Sequence, residues 1–193
     1  MSLQSKLPDV GTTIFTIMSR LAAEHNAINL SQGFPDFDAD PALILAVSEA
    51  MAKGQNQYAP MPGLPDLNVA IARKLHGDYG WMPDPETEIT VTAGGTQALY
   101  SIIGAMISQG DEVIVLEPSY DSYIPSVVSF GGVVKTVQLL PPSYKVNWDE
   151  VESLITSRTK LIMINTPHNP CGVVLEESDL KRLEEIVLKH GIY

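Results

Sequence analysis

The chain is short of cysteine, of positive charge and of long apolar runs, and each shortage closes a class of function. Cys171 is the one cysteine among 193 residues. It leaves no internal disulfide and no thiolate zinc cluster, and it fits a reducing compartment. The four histidines, His25, His76, His168 and His190, are scattered and form no H-E-x-x-H pair. Lys and Arg number 12 against 23 Asp and Glu, a net charge of −11. No basic patch stands out against that background, which argues against a nucleic acid or an anionic membrane as partner. The most apolar stretch, residues 102–107, is far too short to span a bilayer. The first residues, Met1-Ser2-Leu3-Gln4-Ser5-Lys6-Leu7-Pro8, hold no apolar core of the kind a secretory signal needs. The expected location is the cytoplasm.

An apolar fraction of 45% with Gly and Pro spread regularly describes a soluble globular chain, long enough for a real core. In the first part, Ile14, Met18, Leu21 and Ala22 recur at helical spacing up to Asn26. Asp40-Pro41 opens a helix, a cap followed by proline at the first helical position, and Gly54 stops it. A third helix begins at Pro65 with Leu67, Ile71 and Leu75 on its buried face, and Gly77 or Gly80 closes it. From Ile89 the grammar changes to strands alternating with helices. Residues 89–92, 112–116, 133–139 and 161–164 read as strands, and 97–109, 123–130, 148–155 and a segment capped by Ser178 as helices. Strands that are apolar on both faces, alternating with helices, describe a parallel sheet covered on both sides. Gly191-Ile192-Tyr193 has the look of a further strand beginning.

Three strand ends carry residues suited to chemistry. Gly94-Gly95-Thr96-Gln97 joins a strand to a helix N-terminus, where close backbone approach, N–H groups and the helix dipole favour a phosphate. It is neither a Walker A sequence nor G-x-G-x-x-G, so the common nucleotide readings fail. The alternative is a plain tight turn. Tyr120, after Pro118-Ser119, either offers its ring face to a flat ligand or covers the sheet edge as a half-buried aromatic. Asn169 lies in Asn165-Thr166-Pro167-His168-Asn169-Pro170-Cys171-Gly172, a loop stiffened by two prolines. Its amide suits a phenolate-like oxygen or a carboxylate, or else bonds its own loop. Cys171 has no cation beside it in sequence and reads as structural. A phosphate nest, an aromatic face and an amide together describe a flat, phosphorylated aromatic ligand, and pyridoxal phosphate answers that description.

Read together, these residues resemble the N-terminal half of a fold-type I, class I/II pyridoxal-phosphate aminotransferase. The likeness runs from Gly11-Thr12-Thr13-Ile14-Phe15 through Asn29-Leu30-Ser31-Gln32-Gly33-Phe34-Pro35 to the loop around Asn169. It includes Gln57-Tyr58-Ala59-Pro60 and Glu117-Pro118-Ser119-Tyr120-Asp121-Ser122-Tyr123. Within the family it runs to the methionine aminotransferase branch, beside the kynurenine–oxoglutarate and glutamine transaminases.

That resemblance implies an aspartate-aminotransferase-like α/β fold, a parallel sheet between helices in an incomplete large domain. Residues 1–45 would form the N-terminal arm and part of a small domain, and 46–193 the first part of the cofactor-binding domain. It implies that Gly95, Thr96 and Gln97 hold the cofactor phosphate, Tyr120 stacks on its ring and Asn169 bonds its phenolic oxygen. Tyr58 would reach the phosphate of a neighbouring subunit in a homodimer. Gly33 would lie against the substrate carboxylate, and Phe15 with Ile14 would line the side-chain pocket.

The implied reaction moves the amino group of methionine, or another large neutral or aromatic amino acid, to a 2-oxo acid. One departure is mild: Asn169-Pro170-Cys171-Gly172 stands where the family often has Asn-Pro-Thr-Gly. The other is serious. The Schiff-base lysine, the Asp and Tyr that hold the ring and the Arg for the substrate carboxylate would all lie beyond Tyr193. Lys160 and Lys181 sit in the wrong context, so the 193 residues alone are expected to be inactive. A cysteine-conjugate β-lyase on the same fold, and a truncated non-catalytic binding module, are the rival readings. Half a parallel sheet also leaves an unpaired edge and bare apolar surface, so these residues are expected to pack against more chain or another subunit.

Overall fold

The computed structural model describes residues 4–33 and 35–193. They fall into two compact units, one of Met1–Gly11 with Gly94–Tyr193 and one of Thr12–Ala93.

The unit Thr12–Ala93 holds three helices, α1 (Ile14–Glu24), α2 (Pro41–Ala52) and α3 (Pro65–Tyr79). Their starts follow local chemistry. The Thr13 hydroxyl accepts the N–H of Thr16, and the Asp40 carboxylate accepts that of Ala42 at 2.8 Å ahead of Pro41. Gly80, not Gly77, closes α3. The buried face of α3 is Asn68 and Ala72, while Leu67 is exposed, so the apolar stripe is rotated from its expected position. Helix α2 is apolar all round, yet none of its residues is buried, and Leu43, Ile44, Leu45, Val47 and Met51 are each more than half exposed. Residues 89–92 do not form the expected strand. The Val91 N–H goes instead to the carbonyl of Pro62 at 2.9 Å, a turn residue rather than a ladder partner.

The other unit is an α/β layer. Helix α4 (Gly95–Met106) leads to β1 (Glu112–Glu117), and α5 (Tyr123–Ser129) to β2 (Val133–Gln138). Helix α6 (Trp148–Ser153) then leads to β3 (Thr159–Met163), and α7 (Glu177–His190) follows. Among the described residues the sheet has three strands in the order β2-β1-β3, all parallel, so the expected doubly covered parallel sheet is present. Central β1 is buried almost throughout, which is why it reads as a continuous apolar run.

The pleat of β1 sorts its side chains between two cores. Ile114 and Leu116 join Val137, Trp148, Val151 and Ile186 on the face covered by α6 and α7. Val113 and Val115 join Ile103, Ile107, Val127 and Met163 on the face covered by α4 and α5. The approach of α4 to α5 depends on Gly104, where a Cβ would stand 2.5 Å from the ring of Phe130.

Helix α7 starts differently from expectation. Ser178 lies inside the first turn, and the Asp179 carboxylate does the tying. It accepts the Glu176 N–H at 2.9 Å on one oxygen and the Trp148 indole N–H at 2.8 Å on the other. The exposed Leu180 is a second departure, leaving Ile186 as the residue of α7 that is fully buried. At the far edge, Tyr193 donates to the Lys160 carbonyl at 2.9 Å and accepts from the Ile162 N–H at 2.8 Å. That is strand-type pairing on β3, as Gly191-Ile192-Tyr193 implied.

The amino end of the sheet is pinned by Glu112, 1% exposed. Its carboxylate meets Lys135 Nζ at 2.8 Å and Arg158 Nη2 at 2.8 Å, and it accepts the hydroxyls of Thr156 and Thr159. Lys135 first, then Thr156 and Arg158, hold its pKa down at about 2. This satisfies a charge that burial alone would penalise.

Candidate functional site

In a parallel sheet every strand ends on the same edge, so the residues that follow β1 and β3 emerge together. Tyr120 comes three residues after the end of β1, and Asn169 six after the end of β3. Helix α4 reaches that edge from the other direction. Its last turn packs through Ile103 and Ile107 beside Val113, and a tight turn at Ser108 and Asp111 feeds β1 directly. A 12-residue helix spans about 18 Å and a six-residue strand about 20 Å, so the N-terminus of α4 lies at the carboxyl end of the sheet. Gly95, Thr96 and Gln97 are its first three residues. The fold thus brings Gly95, Thr96, Gln97, Tyr120 and Asn169 to one edge.

The turn into α4 depends on Gly94, whose φ of +87° and ψ of 165° a side chain disfavours strongly. Behind it the first turn of α4 contains no acidic residue, so nothing there repels an anion from the positive end of the helix. A Cβ on Gly95 would meet no atom within 4 Å, which leaves space open beside the backbone.

The Asn169 loop carries cis peptide bonds at Thr166-Pro167 and Asn169-Pro170. Its internal bonds are made by other residues. The Asn165 carboxamide oxygen accepts the Asn169 N–H at 2.7 Å, and the Thr166 hydroxyl accepts the Leu175 N–H at 3.0 Å. His168 binds Val173 and Gly172 through its main chain at 2.7 and 2.6 Å. Among the described residues no hydrogen bond engages the Asn169 side-chain amide. The loop-holding part that sequence reasoning weighed for Asn169 therefore falls to Asn165, which that reasoning missed. Its signal is an asparagine at the head of a proline-bearing loop, four residues before the N–H it captures.

His168, 7% exposed, sits in the same loop with no hydrogen-bond partner for its ring Nδ1. Burial pushes its pKa down and favours the neutral imidazole. Cys171 is half-buried, and burial raises its thiol pKa, away from a reactive thiolate. Tyr120 is half-buried, and its ring meets that of Tyr123 edge-on, centroids 5.8 Å apart at 71°.

Tyr58, Gly33 and Phe15 belong to the unit Thr12–Ala93. Tyr58 is fully exposed and lines a cavity of about 480 Å³ with Gln57, Leu64, Pro65 and Asp66. Gly33 has open space on its Cα, and Phe15 is half-buried at the start of α1 beside an exposed Ile14. No cluster of His, Cys, Asp and Glu suited to a metal ion occurs among the described residues, and no helix among them is long and apolar enough to cross a membrane.

The family model for aminotransferase class I and II matches residues 25–193. Methionine aminotransferase of Escherichia coli is 50% identical over 190 residues, which cover 98% of this chain and 49% of that protein. The solved structure of YbdL from Escherichia coli, reported with a methionine aminotransferase function, superposes with a TM-score of 0.96 at 50% identity over all of this chain and 50% of its own. The N-succinyldiaminopimelate aminotransferase structure from Mycobacterium tuberculosis superposes with a TM-score of 0.93 at 39% identity, covering 99% of this chain and 50% of its own. Kynurenine–oxoglutarate transaminase of Dictyostelium discoideum is 34% identical, covering 94% of this chain and 45% of its own length. The chain spans about half the length of these relatives.

Proposed function

Because this chain belongs to the class I and II aminotransferase family, we propose that it is the N-terminal part of a pyridoxal-phosphate enzyme that transfers amino groups. The amino donor is methionine or another large neutral or aromatic amino acid, and the acceptor is a 2-oxo acid. The observation that carries the reading is the placement of Tyr120, the Asn169 loop tied by Asn165 and the α4 N-terminus at one edge of the parallel sheet.

The residues present fit the cofactor. The backbone of Gly95 and Thr96, with Gln97, holds its phosphate at a helix start that carries no acidic side chain. Tyr120 covers one face of its ring. The Asn169 amide would donate to its phenolic oxygen, a charge-assisted bond. Once bound, pyridoxal phosphate supplies an electron sink for the carbon that loses its proton, and the protein supplies orientation and electrostatics.

The remaining parts belong to the longer protein. The cofactor-bonding lysine, the Asp and Tyr partners of the ring and the Arg for the substrate carboxylate follow Tyr193. Strand-type pairing of Tyr193 on β3 supports a further strand at that edge. Residues 1–45 serve as arm and small-domain part, and 46–193 as the first part of the large domain. Gly33 and Phe15 face the substrate. Tyr58 reaches the phosphate of a second subunit in a homodimer. Its full exposure and the bare apolar surface of α2 support an interface still to be made. The protein works in the cytoplasm, a reading supported by its single free cysteine.

The test is amino-group exchange by the full-length protein with methionine and a panel of 2-oxo acids. Exchange that depends on added pyridoxal phosphate supports the reading, and absence of exchange with every pair refutes it.

A further inference from the structure

The ring of Tyr120 has one described aromatic neighbour, and that neighbour is anchored. Tyr123 opens α5, its N–H donates to the Tyr120 carbonyl at 3.1 Å, and the two rings meet edge-on with centroids 5.8 Å apart. Tyr123 also packs, half-buried, against the core cluster that contains Ile103, Val115, Val127 and Met163. Ile103 belongs to α4, the helix whose first residues are Gly95 and Thr96, and Met163 ends β3, the strand that leads to Asn169. Tyr123 therefore joins the Tyr120 ring to a core cluster to which both of those elements contribute. Tyr120 itself sits on a link between β1 and α5 and is no part of either core cluster.

We propose that Tyr123 is a positioning residue for the cofactor ring, acting by fixing the plane of Tyr120 through its edge. This rests on Tyr120 being the stacking residue. A flat ligand gains from an aromatic face when that face is already parallel to it, and a ring free to turn loses part of the gain in ordering. The edge-on contact suits this role, because a near-perpendicular pair limits how far the Tyr120 ring can turn. The aromatic ring of Tyr123 carries the effect. Its hydroxyl stays protonated, with a pKa raised by burial and then by the neighbouring Tyr120 phenol.

The experiment is a double-mutant cycle on the affinity of the full-length apo-protein for pyridoxal 5'-phosphate, read by equilibrium titration and by the circular dichroism of the bound cofactor. The variants are Tyr120→Leu, Tyr123→Leu, Tyr123→Phe and the Leu/Leu pair. Tyr123→Phe keeps the ring and is expected to bind within about twofold of the parent. Tyr123→Leu is expected to bind about three- to tenfold more weakly and to lose part of the dichroic band, with little further loss in the pair beyond Tyr120→Leu alone.

A packing role without positioning would lower thermal stability and leave the coupling near zero, which overturns the proposal. Unchanged affinity in Tyr123→Leu while Tyr120→Leu is weakened overturns it too, and leaves the stacking reading standing. Unchanged affinity in Tyr120→Leu removes the stacking reading and this inference with it. If Tyr123→Leu does not fold, Tyr123→His against Tyr123→Phe makes the same comparison, with the same coupling expected and the same result overturning it.

Discussion

The side chain of Asn165 accepts the main-chain N–H of Asn169 at 2.7 Å, so one asparagine holds the loop and the other is left with its amide unspent. Both stand in the same short motif and look interchangeable as letters. Their parts separate only when the chain folds back over four residues to bring one side chain onto the other's backbone.

Asn165→Ala should therefore weaken the site without touching the cofactor. The lost bond contributes about 0.5–1.5 kcal/mol, which corresponds to about two- to tenfold weaker pyridoxal phosphate binding if it is felt wholly at Asn169. Asn169→Ala should weaken binding more, and Asn165→Asp, which keeps the acceptor, should weaken it least. Titration of the three full-length variants checks the order. Equal effects from Asn165→Ala and Asn165→Asp would contradict it.

Glu112 gives an acid-side prediction. Its carboxyl titrates at about 2 in the folded chain against 4.5 for an unperturbed glutamate. A depressed folded value means that the contribution to stability is fully present above 4.5 and is lost as pH falls towards 2. Acid unfolding of the full-length protein should steepen in that window. Glu112→Gln should be less stable at neutral pH, because Lys135 and Arg158 then lose their counter-charge, and it should lose less stability on acidification. Chemical denaturation at several pH values would show this, and parallel curves for parent and variant would count against it.

At the contact of α4 with α5 the prediction is steric. Gly104→Ala places a methyl where Phe130 already lies, and Phe130 is held against Tyr100 with ring centroids 4.9 Å apart. Overpacking of this kind costs about 1–3 kcal/mol. A shift in the denaturation midpoint measures it. Pairing Gly104→Ala with Phe130→Leu should recover part of the loss, whereas additive losses would show that Phe130 is not the obstacle.

Much of this arrangement was legible in the letters. Asp40-Pro41 marks a helix start because a short carboxylate and a fixed φ leave few other choices, and the apolar run in 112–116 reads as a buried central strand for the reason seen in its burial. The candidate residues can be grouped from the letters because strand ends in a parallel sheet share an edge, so spacing along the chain becomes proximity in space. What failed depended on partners far away in sequence. Residues 89–92 have the composition of a strand, but a strand is a pairing, and the Val91 N–H is taken by Pro62. Period alone places Leu67 and Leu180 inside, while the burial of α3 is decided at Asn68, whose amide donates to the carbonyls of Pro62 and Pro85. Ser178 was the obvious cap by residue type, and Asp179 took the work because Trp148, from α6, helps to hold it. Nothing in the letters tells which of the two asparagines, Asn165 or Asn169, turns its side chain onto the loop.

The measurement that bears most directly on the account is amino transfer by the full-length protein, loaded with pyridoxal phosphate and given methionine and a 2-oxo acid. Expected is the 2-oxo acid of methionine formed in step with the new amino acid, lost on removal of the cofactor and reduced in Asn169→Ala. A protein that binds the cofactor, is folded, and forms neither product from any large neutral or aromatic donor would contradict it.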